Sequence, residues 1–182
     1  MQGQYQIEDP EKFLFLQDTV SPTFSTGANG GPGKHLKAVA AEIQAKPDLA
    51  KQFPPLKVFH VDDPETEEAC TFSLDTRRLL TFRMAKVHAV KTTPASFREI
   101  RQSTWKMTSE EGGIITPGMT STPNKDAYPH SYTTLYKLRS ELERLTQQGM
   151  QHCQANNIVG EAREAYLDQT IEPAIRAAFH LR

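Results

Sequence analysis

The stretch Cys70-Thr71-Phe72-Ser73-Leu74-Asp75-Thr76-Arg77-Arg78-Leu79-Leu80-Thr81-Phe82-Arg83 decides how this chain folds. Its first residues alternate between faces in the period of a strand, and from Arg77 the apolar residues fall at helical spacing, with no spacer between the two patterns. Two arginines therefore sit in the first turn of a helix. Cations at a helix start are disfavoured by roughly 0.3–1 kcal/mol each, because the unpaired amides there already carry a partial positive charge. Asp75 is a natural N-cap that offsets part of that charge. What remains is a concentrated set of donors at a strand-to-helix turn, a setting in which proteins bind phosphate or carboxylate. The same residues fit a structural role equally well, with Arg77 and Arg78 paired to carboxylates of the acidic run 62–68 as ordinary surface ion pairs.

Upstream, Leu56-Lys57-Val58-Phe59-His60-Val61 follows Pro54-Pro55 and reads as a strand that forms a hairpin with the one around Phe72. Phe13-Leu14-Phe15-Leu16 is a further short strand, ending in a polar turn at Gln17. A glycine-rich loop at 27–33 precedes a helix over 34–46, with Leu36, Val39, Ala40 and Ile43 on one face and Pro47 beyond its end. Downstream, the helix over 77–86 turns Leu79, Leu80, Phe82 or Met84 to the core, and 87–92 reads as a strand. Ser96 and Glu99 have capping-box spacing at the start of a helix carrying Phe97, Ile100, Trp105 and Met107, stopped by Gly112-Gly113.

Residues 116–131 have no period and read as a long loop or lid. Residues 132–182 read as an antiparallel helical pair that turns at Asn156-Asn157 and is interrupted or bent at Pro173. Leu135, Leu138, Leu142 and Leu145 form its first apolar stripe, continued by Ala162, Ala165, Tyr166, Ile175, Ala178 and Phe179. Such a stripe seals a core or receives a partner helix. The expectation is an α/β (α+β) fold: a phosphate-binding core over 1–115, built on a small mixed sheet with packed helices, and the helical pair packed on it.

With 182 residues and 37% hydrophobic content, the chain is long enough for one domain with a real core. No apolar run approaches the roughly 20 residues that span a bilayer, and the N-terminal residues lack the basic and apolar regions of a signal peptide, so a soluble protein without membrane partners is expected. The net charge of −1 gives no global attraction to nucleic acid, which leaves any polyanion contact to a local patch. Cys70 and Cys153 have no ligand spacing and read as buried thiols. The six histidines form no zinc motif either, so no protein-held metal centre is expected. Gly33-Lys34 suggests a P-loop, but Ala28 and His35 stand where that motif needs glycine and Ser or Thr.

Four segments, taken in order, carry a resemblance. They are Phe15-Leu16-Gln17-Asp18-Thr19-Val20-Ser21-Pro22-Thr23-Phe24, Pro55-Leu56-Lys57-Val58-Phe59, Ser73-Leu74-Asp75-Thr76-Arg77-Arg78-Leu79, and Trp105-Lys106-Met107-Thr108 with Gly112-Gly113-Ile114. Their order resembles that of ParB/sulfiredoxin-like domains, and within them the ParB-like nuclease domains of bacterial polymorphic toxins. There the central motif is similar to Leu-Asp-Asn-Arg-Arg-Leu, so Thr76 stands here in place of Asn. The resemblance implies a strand-turn-helix that sets Thr76, Arg77 and Arg78 against the phosphates of a nucleotide or nucleic acid, with ATP or CTP as candidate ligands and Lys106 and Thr108 as further phosphate contacts.

The same resemblance makes Gln17, Asp18 and Asp75 the candidate catalytic residues. Asp18 would orient a water or hydroxyl for attack on phosphorus, or share a Mg²⁺ ion with the ligand phosphates, as would Asp75. Asp18 also fits a plain turn residue, and Lys106 a plain solvated lysine. Sulfiredoxin chemistry is not expected, because the turn holds Thr76 and Arg77 where that reaction needs a cysteine.

Two functions follow from different classes. The first is a toxin or effector enzyme, a nuclease or nucleoside triphosphatase that cleaves a phosphoester or phosphoanhydride. Delivery into a target cell and an immunity protein as partner belong to that reading. The second is a non-hydrolytic module in which nucleotide occupancy switches the C-terminal helices between partners.

Overall fold

The structure, a computed structural model, describes residues 5–17, 20–24, 33–108 and 131–182. The glycine-rich loop as far as residue 32, the stop at Gly112-Gly113 and the lid at 116–130 lie outside the described residues, and so does Asp18.

Five strands form one mixed sheet: β1 (Gln6–Glu8), β2 (Leu14–Phe15), β3 (Leu56–Asp62), β4 (Ala69–Ser73) and β5 (Val90–Pro94), in the order β1-β5-β3-β4-β2. β3 and β4 are the expected antiparallel hairpin, with Phe59 opposite Phe72 and Val61 opposite Cys70. β5 runs parallel to β3 and β2 parallel to β4, while β1 closes the far edge antiparallel to β5. The sequence reading missed β1, whose three residues are too few to show an alternating pattern and are set only by pairing with β5.

The helices are α1 (Leu36–Ala45), α2 (Thr76–Met84), α3 (Phe97–Gln102), α4 (Ser131–Ala155) and α5 (Gly160–Phe179). They cover both faces of the sheet. Alternation along the strands divides the core accordingly: Phe13, Phe15, Leu56 and Val58 face α1 and α2, whereas Leu14, Leu16, Phe59, Val61 and Phe72 face α3, α4 and α5. On the second face Leu135, Leu138 and Leu142 of α4 meet Leu167, Ile171, Ile175 and Phe179 of α5. Burying each of these side chains contributes roughly 1.5–3 kcal/mol. The buried face of α5 is set by these residues, and Ala162 and Ala178 of the expected stripe are exposed.

Three expectations shift at element ends. The strand expected over 87–92 begins at Val90, because α2 ends in a Schellman turn. There Lys86 has φ +55°, and the amides of Lys86 and Val87 donate to the carbonyls of Arg83 and Phe82, which uses the residues between helix and strand. The helix expected to carry Trp105 and Met107 stops at Gln102, and 104–106 form a separate 3-10 turn. α5 continues through Pro173 to Phe179, since packing of its apolar face outweighs the one backbone bond that proline removes.

The acidic run does not pair with the arginines of α2 in the way its charge suggested. Asp63, 2% exposed, accepts from the amides of Glu65 and Thr66 at 2.9 and 3.0 Å and from the Thr134 hydroxyl of α4 at 2.7 Å. Lys137 approaches both Asp63 and Glu65, and Arg182 bonds Asp62. Burial pushes the Asp63 carboxyl up, but the Thr134 hydroxyl, the two amides and the Lys137 ammonium together hold it at about 2. This carboxylate thus locks the hairpin turn to α4. Beyond the end of β5, Arg182 exchanges two backbone bonds of 3.0 Å with His60, extending the pairing on that side of β3. No described helix is long and apolar enough to cross a membrane.

Candidate functional site

Parallel pairing sets Phe15 beside Ser73, so the chain leaves β2 and β4 at the same end of the sheet. That register brings Gln17 to the start of α2. The Thr108 amide donates to the Leu16 carbonyl at 2.9 Å and draws the 104–106 turn to the same place. From the other side, Arg77 donates to the Thr23 carbonyl at 3.1 Å, and Thr23 bridges to His35 at the head of α1. These ties enclose a cleft of about 470 Å³, lined by Gln17, Asp75, Thr76, Arg77, Arg78 and Lys106 together with Phe24, Phe53 and Trp105. The volume suits a small-molecule or nucleotide ligand. Of the residues singled out in the sequence, these six share one surface. Thr108 is not among the lining residues and serves through its backbone, and Asp18 lies outside the described residues.

Asp75 stands at the N-cap position of α2, but its side chain does not cap the helix. One carboxylate oxygen accepts the Lys57 amide at 2.7 Å, and the other accepts from the Arg78 guanidinium. Arg78 also donates to the carbonyls of Pro54 and Pro55 at 2.8 and 3.1 Å. The expected cap is therefore a clamp that holds the helix start against β3. It leaves the first-turn amides without a capping side chain at the cleft floor.

Thr76 completes this floor. It is 4% exposed, and its hydroxyl oxygen is buried with no hydrogen-bond partner among the described residues. A buried hydroxyl left unpaired costs about 1–3 kcal/mol, so a persistent one signals a missing partner. Arg77, Arg78 and Lys106 set three cations against the single carboxylate of Asp75 in the described lining, and Asp75 is already spent on Arg78. Cationic side chains thus outnumber carboxylates among the described lining residues, although the chain as a whole carries a net charge of −1.

Among the described residues no group of three or more His, Cys, Asp or Glu side chains is placed to hold a metal ion. A Mg²⁺ ion bound chiefly by ligand phosphates needs only one or two carboxylates. Asp75 does not fit that part: both its oxygens are engaged, and an ion there would meet the Arg78 guanidinium.

The sequence reading missed the aromatic wall. Trp105, expected on the same helix as Phe97 and Ile100, is 67% exposed, because the helix breaks at Ser103 and the 3-10 turn rotates the indole outward. The Lys106 ammonium lies 5.4 Å from the centre of its ring. The ring centres of Phe24 and Phe53 lie 6.4 Å apart in a tilted arrangement, with Phe53 edge-on to Phe82 of α2 at 5.5 Å. Ser103, a weak helix former after a short amphipathic run, was the one signal of the break. No protein-family model, no curated protein and no solved structure matches this chain.

Proposed function

We propose that the cleft at the start of α2 binds a phosphate group of a nucleotide or nucleic acid, and that the protein is a toxin or effector enzyme cleaving a phosphoester or phosphoanhydride there. The observation that carries the anion site is Thr76: a buried hydroxyl without a partner among the described residues, at a helix start with no side-chain cap, beside Arg77 and Arg78. A phosphate oxygen supplies the missing acceptor, and the first-turn amides and guanidinium forks fit the remaining oxygens. The ordered motifs that resemble ParB-like nuclease domains support the reading as an effector, with an immunity protein as its partner. ATP and CTP are the first ligands to try.

The test is a titration of the full chain with ATP, CTP, single-stranded DNA and RNA, with and without Mg²⁺, with products analysed in parallel. Binding by at least one ligand and turnover reduced about a hundredfold in Asp18→Asn at near-unchanged affinity are expected. Unchanged affinity for every ligand in a folded Arg77→Ala/Arg78→Ala variant refutes the anion site.

Asp75 favours a second reading. It is the one carboxylate in the described lining, and it is committed to Lys57 and Arg78. A cleft that binds without hydrolysing, as a nucleotide-dependent module, follows if binding occurs and no ligand is turned over.

A further inference from the structure

The cleft does not end at the Asp75–Arg78 pair. A second opening of about 420 Å³ lies beyond it, reaching Lys57 and Glu99, and the two openings share Asp75, Arg78, Trp105 and Lys106. Trp105 thus stands at their junction with two thirds of its surface in water. It is held in that place by the backbone bond from Thr108 to Leu16, and Lys106 sets a positive charge against the ring. Lys57 pairs with Glu99, which places a further ammonium on the far side.

We propose that the ligand is a single-stranded polynucleotide lying across both openings. One phosphate sits on Thr76 and Arg77, the neighbouring nucleotide lies beside Lys57, and a base at the junction stacks on Trp105. This deepens the phosphate-site reading and rests on it. Each opening alone has a volume that suits one mononucleotide, and the two joined suit more than one nucleotide. A duplex keeps its interior bases stacked on each other, so apart from its two end pairs no base face is free to meet the indole. An unpaired strand offers such a face at every nucleotide, and stacking on an aromatic ring tolerates any base. Lys57 and Arg78 on this path are each paired with a carboxylate, so the local attraction at the junction comes from Lys106.

Trp105 is the only tryptophan of the sequence, so protein emission reports the junction directly. The full chain is titrated with ATP, CTP, single-stranded DNA and RNA hexanucleotides, and a blunt DNA duplex, following Trp105 emission and the anisotropy of end-labelled strands. Hexanucleotides are expected to quench the indole emission and to bind about tenfold or more tighter than the triphosphates or the duplex. Trp105→Ala, a surface substitution, should weaken hexanucleotide binding about tenfold, roughly 1.4 kcal/mol, and Trp105→Phe should recover most of it. Lys57→Gln should weaken the hexanucleotides several-fold and leave triphosphate affinity unchanged. A preference for DNA or for RNA supports the proposal and identifies the sugar. Triphosphates bound as tightly as hexanucleotides, or wild-type hexanucleotide affinity in Trp105→Ala, overturn it and leave the phosphate site standing; no binding by any of these ligands overturns both.

Discussion

Replacing Thr76 with valine separates what the site contributes to function from what it costs the fold. The two side chains have the same shape and near-equal helix propensity, so the substitution exchanges only a hydroxyl for a methyl. That hydroxyl is buried with no partner among the described residues. Its desolvation costs about 1–3 kcal/mol, and the lower figure applies because the adjoining cleft admits water. Thr76→Val should therefore stabilise the free protein by about 1 kcal/mol, raising Tm by roughly 2–4 °C for a chain of this length. The same change removes a hydrogen bond to an anionic oxygen, worth roughly 1.5–3 kcal/mol, and should weaken phosphate-ligand affinity by about one to two orders of magnitude. Thermal unfolding by circular dichroism and titration with ATP, CTP and hexanucleotides measure the two effects on one protein. A lowered Tm would show that the hydroxyl is satisfied in the free state. Unchanged affinity would show that it does not meet the ligand.

Arg78→Ala should cost about 2 kcal/mol of stability in addition to ligand affinity, since it strips bonds from Asp75 and from the Pro54 and Pro55 carbonyls, and Arg78→Lys should not restore either; urea unfolding reads the first effect and titration the second. The Asp63 carboxyl, held at about 2 against an ordinary 3.8, makes a contribution of roughly 2 kcal/mol that is complete above pH 4 and lost as pH falls toward 2. Asp63→Asn should accordingly flatten the acid limb of the stability profile, and an unchanged limb would refute the lock between hairpin turn and α4. Cys70 is pushed up to about 11 by burial and by the Glu68 charge, and Cys153 is buried as well, so the native protein should react negligibly with a thiol reagent at pH 8 and expose both thiols on unfolding.

Local period was enough to read the strand-to-helix turn from Phe72 to Leu80, the β3–β4 hairpin, the Ser96–Glu99 capping box and the apolar stripe of α4, because each depends on residues a few positions apart. Periodicity also placed Arg77 and Arg78 in the first turn of a helix. It could not show what each guanidinium would bond, because their partners include backbone carbonyls at Thr23, Pro54 and Pro55, which every sequence possesses. Nor could it show that Asp75 reaches back to Lys57 instead of capping its own helix, since that choice is set by the register of β3 against β4. β1 exists only as a partner of β5. Gln17 meets the start of α2 only because β2 runs parallel to β4, and Trp105 joins them only because the chain breaks at Ser103 and Thr108 bonds Leu16. The amino-acid order by itself determined the elements and the cations at the helix start; tertiary pairing between distant segments decided what those cations bond and brought the buried Thr76 hydroxyl to the cleft.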